Sequence, residues 1–137
     1  MKVAILGAGM SGLAAGVVLE RHGFVPDIYE QNSFISDHYS HIGVLFNMAY
    51  RGTTKQPLKY IKKTTSVEIS PLEKITELII HSNSYHVTIT NEIIGYSFIH
   101  GQEPISLGNQ LLGHIKKSKF LALLAMMNVH ASYRERP

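Results

Sequence analysis

Hydrophobic positions along the 137-residue chain change their period several times, and each change predicts an element. Val3, Ile5 and Leu6 form a short apolar run with no charge after Lys2, the pattern of a strand buried on both faces. Glycines follow at once. From about Met10 to His22 the apolar residues Leu13, Ala14, Val17 and Val18 recur at helical spacing, Glu20, Arg21 and His22 gather at the end, and Gly23 offers a left-handed stop. Val25, Ile28 and Tyr29 then predict a second strand that closes on Glu30.

Beyond this the pattern loosens. Residues 33–70 mix aromatic and polar positions without a clean period and predict a loop or an excursion. Three β-rich runs, "KITELIIH", "YHVTIT" and "IIGYSFIH", are separated by Ser82-Asn83-Ser84 and by Asn91-Glu92, and predict antiparallel strands joined by two turns. "EPISLGNQLLGHIKKSKF" predicts a helix from about Leu107, capped by Ser106, with Leu107, Leu111, Leu112 and Ile115 on one face. Leu121 to Met127 has helix-forming composition, and Val129 to Tyr133 alternates as a strand does.

Composition narrows the class. The length matches one domain, and 45% apolar with 17% charged residues describes a globular chain. The net charge is only +3, and the cluster Arg51, Lys55, Lys59, Lys62 and Lys63 lacks aromatic interleaving, so it reads as a solvated face and no nucleic-acid partner is expected. Without cysteine, disulfides, thiolate metal sites and a cysteine nucleophile are excluded. The apolar opening is neither a secretory signal nor a membrane span. Gly7, Gly9, Gly12 and Gly16 would each cost a helix roughly 0.8–1 kcal/mol relative to Ala, and the run falls short of the ~20 residues a bilayer needs. A cytoplasmic location is the expectation. His38 and His41 stand three apart in "HYSH" with no third ligand in pattern, so no metal is expected. No Ser–His–Asp order or carboxylate pair stands out, and catalytic residues stay unassigned.

The glycines carry the chemistry. In the order strand, turn, helix, strand and terminal acid, Gly7 permits the tight turn, Gly9 lets a pyrophosphate approach the backbone, and Gly12 lets helix and strand pack closely. The N–H groups around Met10 and Ser11, at the positive end of the helix dipole, face the phosphates. Glu30 stands eighteen residues beyond Gly12, where a carboxylate can accept both ribose hydroxyls of an adenosine and would repel a 2′-phosphate. The stretch from Gly7 through Ala8 to Gly12 is thus read as a phosphate cradle. The fold class expected is α/β, a Rossmann-like βαβ layer with a partial parallel sheet beside a small antiparallel meander.

"GAGMSGLAAGVVLERHGFVPDIYEQN" resembles the amino-terminal FAD fingerprint of the flavoprotein group that contains aromatic hydroxylases, amine oxidases and geranylgeranyl-reductase-like enzymes. The resemblance is specific over residues 1–32, where Glu30-Gln31 matches the group's Glu followed by a polar residue. It implies FAD, where the cradle alone also admits NAD(P). It implies one incomplete domain over 1–137: a cradle at 1–32, inserted antiparallel strands at 71–101 facing a substrate, and a return helix with a candidate third strand at 104–137. Gln110 would lie near the flavin's pyrophosphate side, and backbone near Val129 would meet the adenine. Members often carry an Arg just before the return helix, where this chain has His100-Gly101. The group's later strands, its second glycine-acid motif and most of its substrate domain have no counterpart. The resemblance therefore implies a truncated portion, no turnover by the chain alone, and an open sheet edge that an oligomer or partner chain would cover. The function expected is the FAD-binding portion of an oxidoreductase acting on an unidentified small molecule. The alternatives are a non-catalytic nucleotide-binding remnant and an NAD(P)-dependent oxidoreductase domain. In a flavoprotein the isoalloxazine carries the redox chemistry, so no conspicuous catalytic side chain is required.

Overall fold

Two three-stranded sheets share one core in the computed structural model, which describes residues 1–32, 42–47 and 56–122. In chain order the elements are β1 (Ala4–Leu6), α1 (Met10–Arg21), β2 (Asp27–Glu30), β3 (Ile42–Phe46), α2 (Pro57–Thr65), β4 (Glu73–His81), β5 (His86–Ile99), α3 (Leu107–Leu112) and β6 (Lys119–Ala122). The first sheet has the order β1-β2-β6 and is parallel throughout; the second has the order β3-β5-β4 and is antiparallel. The expected α/β class, with a partial parallel sheet and a small antiparallel one, is the class observed.

The opening βαβ unit keeps the expected order, but β1 is not buried on both faces as its apolar run predicts: Ile5 is half-buried under α1, whereas Ala4 and Leu6 on the other face are exposed, Leu6 at 75%. Ile5 and Ile28 lie side by side in β1 and β2, and α1 covers that face with Leu13 and Val17. The helix ends at Arg21, one residue before the expected end, and His22 caps it through its backbone N–H and through a 2.8 Å contact of Nδ1 with the Val18 carbonyl. Β-pairing of β2 begins at Asp27, so Val25 falls outside the strand and is exposed.

The third strand of the parallel sheet comes from positions expected to begin a helix. Lys119 to Ala122 pair with Asp27 to Glu30, residue for residue, so Leu121 and Ala122 belong to a strand and not to the helix expected over Leu121–Met127. Helix propensity at these positions amounts to a few tenths of a kcal/mol per residue and yields to a row of backbone hydrogen bonds with β2. The expected strand at Val129–Tyr133 lies outside the described residues.

The antiparallel sheet also differs in detail. Ser82-Asn83-Ser84 does form a turn, but Asn91-Glu92 does not: β5 runs unbroken from His86 to Ile99. Ile75 pairs with Gly95 and Glu77 with Thr90, so four residues of β5 stand against Thr76 alone. The pair reads locally as a turn and is absorbed as a bulge, with Asn91 Oδ1 accepting the Glu92 N–H at 2.7 Å. The third strand of this sheet is β3, drawn from the stretch expected to be loop, which also supplies α2. Pro57 starts α2, where a missing N–H costs nothing. Lys59, Lys62 and Lys63 are exposed, and Lys62 meets the exposed Glu68 carboxylate at 2.9 Å, in keeping with a solvated face.

From Thr65, the last residue of α2, alternate positions turn inward, and Val67 and Ile69 join Phe98 of β5 with Leu107 and Leu111 of α3 against Leu13 and Val17. α3 stops at Leu112, so Ile115 packs on the core from beyond the helix. Its start is as expected: the fully buried Ser106 accepts the Asn109 N–H through Oγ at 3.2 Å.

Candidate functional site

The turn between β1 and α1 is held by β2. The Gly7 N–H donates to the Tyr29 carbonyl at 2.7 Å, and the Ala8 N–H donates to Glu30 Oε2 at 2.7 Å. Gly7 has φ +95°, a conformation that side chains resist. At Gly12 a Cβ would stand 2.0 Å from the Gly7 carbonyl oxygen, so the first turn of α1 can lie against the loop only without one. Gly9 is different. Its φ −70° and ψ 179° suit any residue, and an added Cβ would meet nothing within 4 Å. Packing therefore gives no reason for glycine there, whereas a group approaching from outside would.

The N–H groups of Gly9, Met10, Ser11 and Gly12 have no hydrogen-bond partner among the described residues, since the first helical bond is Leu13 N–H to the Gly9 carbonyl at 2.9 Å. No acidic side chain sits in this first turn and no side chain caps it. The result is a concentration of donors at the positive end of a twelve-residue helix.

Glu30 stands beside these donors. Its Oε1 accepts the Asn32 N–H at 2.9 Å while Oε2 accepts that of Ala8, so both oxygens are oriented by backbone and the carboxylate is only half-buried. Gln31 follows on the exposed side. Across the sheet, Glu30 pairs in register with Ala122. The structure thus brings Gly7 to Gly12 and Glu30 together at one end of the parallel sheet.

Gln110 is otherwise occupied. Its Oε1 accepts the Ser70 N–H at 2.7 Å, and its Nε2 donates to the carbonyls of Ser70 at 2.9 Å and Ile105 at 2.7 Å. Both amide hydrogens are engaged in strapping α3 to the chain around residue 70. Val129, His38 and His41 lie outside the described residues. Among the described residues no three or more His, Cys, Asp or Glu side chains converge on a metal-sized space, and no helix is long and apolar enough to cross a membrane.

Sequence reasoning passed over Glu20. One carboxylate at the end of α1 receives the N–H groups of Lys116 and Lys117 at 2.8 Å each, the Ser118 N–H, and the Ser118 hydroxyl at 2.6 Å. Desolvation works against the charge, but the Ser118 hydroxyl and the three N–H groups outweigh it and lower the pKa from 4.5 to about 2. This clasp fixes the segment that leads into β6. Its partners are 96 to 98 residues away in sequence, and only a glutamate following a helical period marks it.

A cavity of about 270 Å³ lies apart from the turn residues, lined by Asn47, Gln56, Leu58, Lys59, Ile93 and Tyr96.

No family model and no curated protein matches the chain. Among solved structures it is similar to a point mutant of 2-methyl-3-hydroxypyridine-5-carboxylic acid oxygenase, with a TM-score of 0.55 and 14% identity over 87% of this chain and 31% of that one. It also matches a structure of CtdE in complex with FAD, with a TM-score of 0.44 and 15% identity over 88% of this chain and 30% of that one. The chain spans about a third of the length of either protein. The first likeness shows that the α/β arrangement described above is the fold of part of an oxygenase.

Proposed function

We propose that the chain binds the adenosine diphosphate end of FAD and is the cofactor-holding portion of a flavin-dependent oxidoreductase. The observation that carries this reading is the joining of Glu30 to the turn through the Ala8 N–H, beside a Gly9 whose bare Cα packing does not require. The N–H groups of Gly9, Met10, Ser11 and Gly12 would donate to the pyrophosphate. An ionised carboxylate has about four acceptor sites. Ala8 and Asn32 use two of Glu30's, which leaves room for two ribose hydroxyls. A 2′-phosphate would meet like charge there, which disfavours NADP.

Val129 lies outside the described residues; among those described, Ala122, paired in register with Glu30, is the strand position that would stand beside the bound adenosine. Gln110 acts by positioning α3; it would have to release Ser70 or Ile105 to donate to a phosphate. FAD over NAD is favoured by the resemblance of residues 1–32 to a flavin fingerprint, together with the fold shared with an oxygenase. Bound flavin would supply the redox chemistry, and the residues of this chain would bind and orient it. The substrate, a small molecule, would be handled by the two thirds of such an oxygenase that this chain does not span.

Titration of the purified chain with FAD, followed by quenching of flavin fluorescence, tests the reading. FAD and ADP are expected to bind and NADP to bind more weakly. Glu30→Ala should cost about 1–3 kcal/mol of affinity, the range for hydrogen bonds to a charged group. Unchanged affinity would remove Glu30 from the site, and no binding of FAD or ADP by the unaltered chain would refute the proposal.

A further inference from the structure

The β4–β5 hairpin closes through a two-residue turn in which the Ser82 N–H donates to the Tyr85 carbonyl at 2.8 Å. The next pair along the ladder is His81 opposite His86. Hydrogen-bonded and non-hydrogen-bonded pairs alternate in an antiparallel ladder, so this pair takes the non-hydrogen-bonded position, where opposing side chains stand closest. Both are histidines, both are exposed, and their ring centroids lie 5.8 Å apart with the planes tilted by 36°. Among the described residues neither imidazole has a hydrogen-bond partner, so their nitrogens are available.

We propose that His81 and His86 form a two-imidazole site for a divalent transition-metal ion of the Zn²⁺ type, with water completing the coordination. Imidazole nitrogen is a preferred donor for such ions and binds zinc at about 2.0–2.1 Å. Two rings sharing one ion at a near-tetrahedral or right angle have centroids roughly 4.5–5.5 Å apart, which follows from that bond length. Side-chain rotation of two exposed histidines closes the remaining distance from 5.8 Å. The rest of this sheet face is compatible with a cation: the next pairs are Ile79 with Thr88 and Glu77 with Thr90, and no lysine or arginine stands among them. The ion would tie the ends of β4 and β5 together at the hairpin tip. The site is independent of the glycine turn and of Glu30.

The test is calorimetric titration of the full chain with ZnCl₂ near neutral pH, with MgCl₂ as the hard-cation control and thermal unfolding run alongside. One equivalent of Zn²⁺ should bind with a Kd below about 1 mM, raise the unfolding temperature, and find no parallel with Mg²⁺. His81→Ala and His86→Ala should each weaken binding at least about tenfold and remove the thermal shift. The double variant should lose little more than either single one, because one imidazole alone is not a chelate. His22→Ala and His114→Ala should leave binding unchanged. Equal Zn²⁺ binding by the His81 or His86 variants, or none by the unaltered chain below about 1 mM, would overturn the proposal.

Discussion

Replacing Glu20 with Gln should destabilise the fold near neutral pH and change its response to acid. The side chain keeps its length, but the amide cannot accept four hydrogen bonds as an anion, and its NH₂ would face either the Lys116 N–H, now on Oε2, or those of Lys117 and Ser118, now on Oε1. The lowering of the pKa from 4.5 to about 2 bounds the effect. At 1.36 kcal/mol per unit the ceiling is about 3 kcal/mol. Solvent reaches the clasp and screens it, so about 1–2 kcal/mol is the working figure. The sign is fixed by linkage. A carboxylate whose folded pKa lies below its unfolded value contributes its full stabilisation above about pH 4.5, and that contribution is lost as pH falls toward 2. Urea unfolding followed by circular dichroism at pH 7, 4 and 3 should therefore show a gap between parent and Glu20→Gln that is widest at pH 7 and narrows steadily with acid. A gap of zero at pH 7, or one independent of pH, would refute the assignment.

Two glycines of the turn should respond in opposite ways. Gly9→Val should fold with a stability change within about 0.5 kcal/mol and lose FAD binding, because its side chain fills only the approach of the ligand; normal binding would dismiss the cradle. Gly12→Ala should instead be destabilised by roughly 2–3 kcal/mol or more, the scale of overpacking, since its Cβ would stand 2.0 Å from the Gly7 oxygen; an unaltered urea midpoint would show that α1 can move away freely. Ser106→Ala should lose about 1 kcal/mol as a deleted helix cap, read by thermal unfolding, and no loss would mean that Asn109 finds another acceptor.

What could be read from the chain was local. The first 32 residues carry a helical period, a stop at Gly23 and glycines whose spacing matches a strand-to-helix turn, and each of these signals is complete within a few neighbours. β6 was not legible because Leu121 and Ala122 prefer a helix on their own and become strand only beside Asp27–Glu30. Asn91-Glu92 misleads for the same reason: as a dipeptide it suits a turn, while in the sheet it lies inside a bulge between Thr90 and Gly95, both already paired with β4. Gln110 was placed on the correct helix, but its partners Ser70 and Ile105 depend on how a loop folds back, and no period records that. The shape of the turn and the place of Glu30 at the end of β2 were legible because strand ends and helix starts have side-chain rules; the Glu20 clasp uses bare N–H groups, which every residue but proline has.

The place of β6 has a consequence for the order of assembly. β4 and β5 are joined by a tight turn and can meet within microseconds, as hairpins do. β2 must instead wait for a strand that begins 89 residues after Glu30 leaves it. Closing a loop of that size costs entropy that grows with the logarithm of its length, and such distant pairings are slow to form. The antiparallel unit should therefore be in place before β6 docks, with Glu20 catching the incoming segment at Lys116–Ser118. Glu30 gains its neighbour Ala122 only in that last step. A nucleotide that prefers the completed edge would then act as a late latch on folding, and its presence should slow unfolding more than it speeds the first collapse.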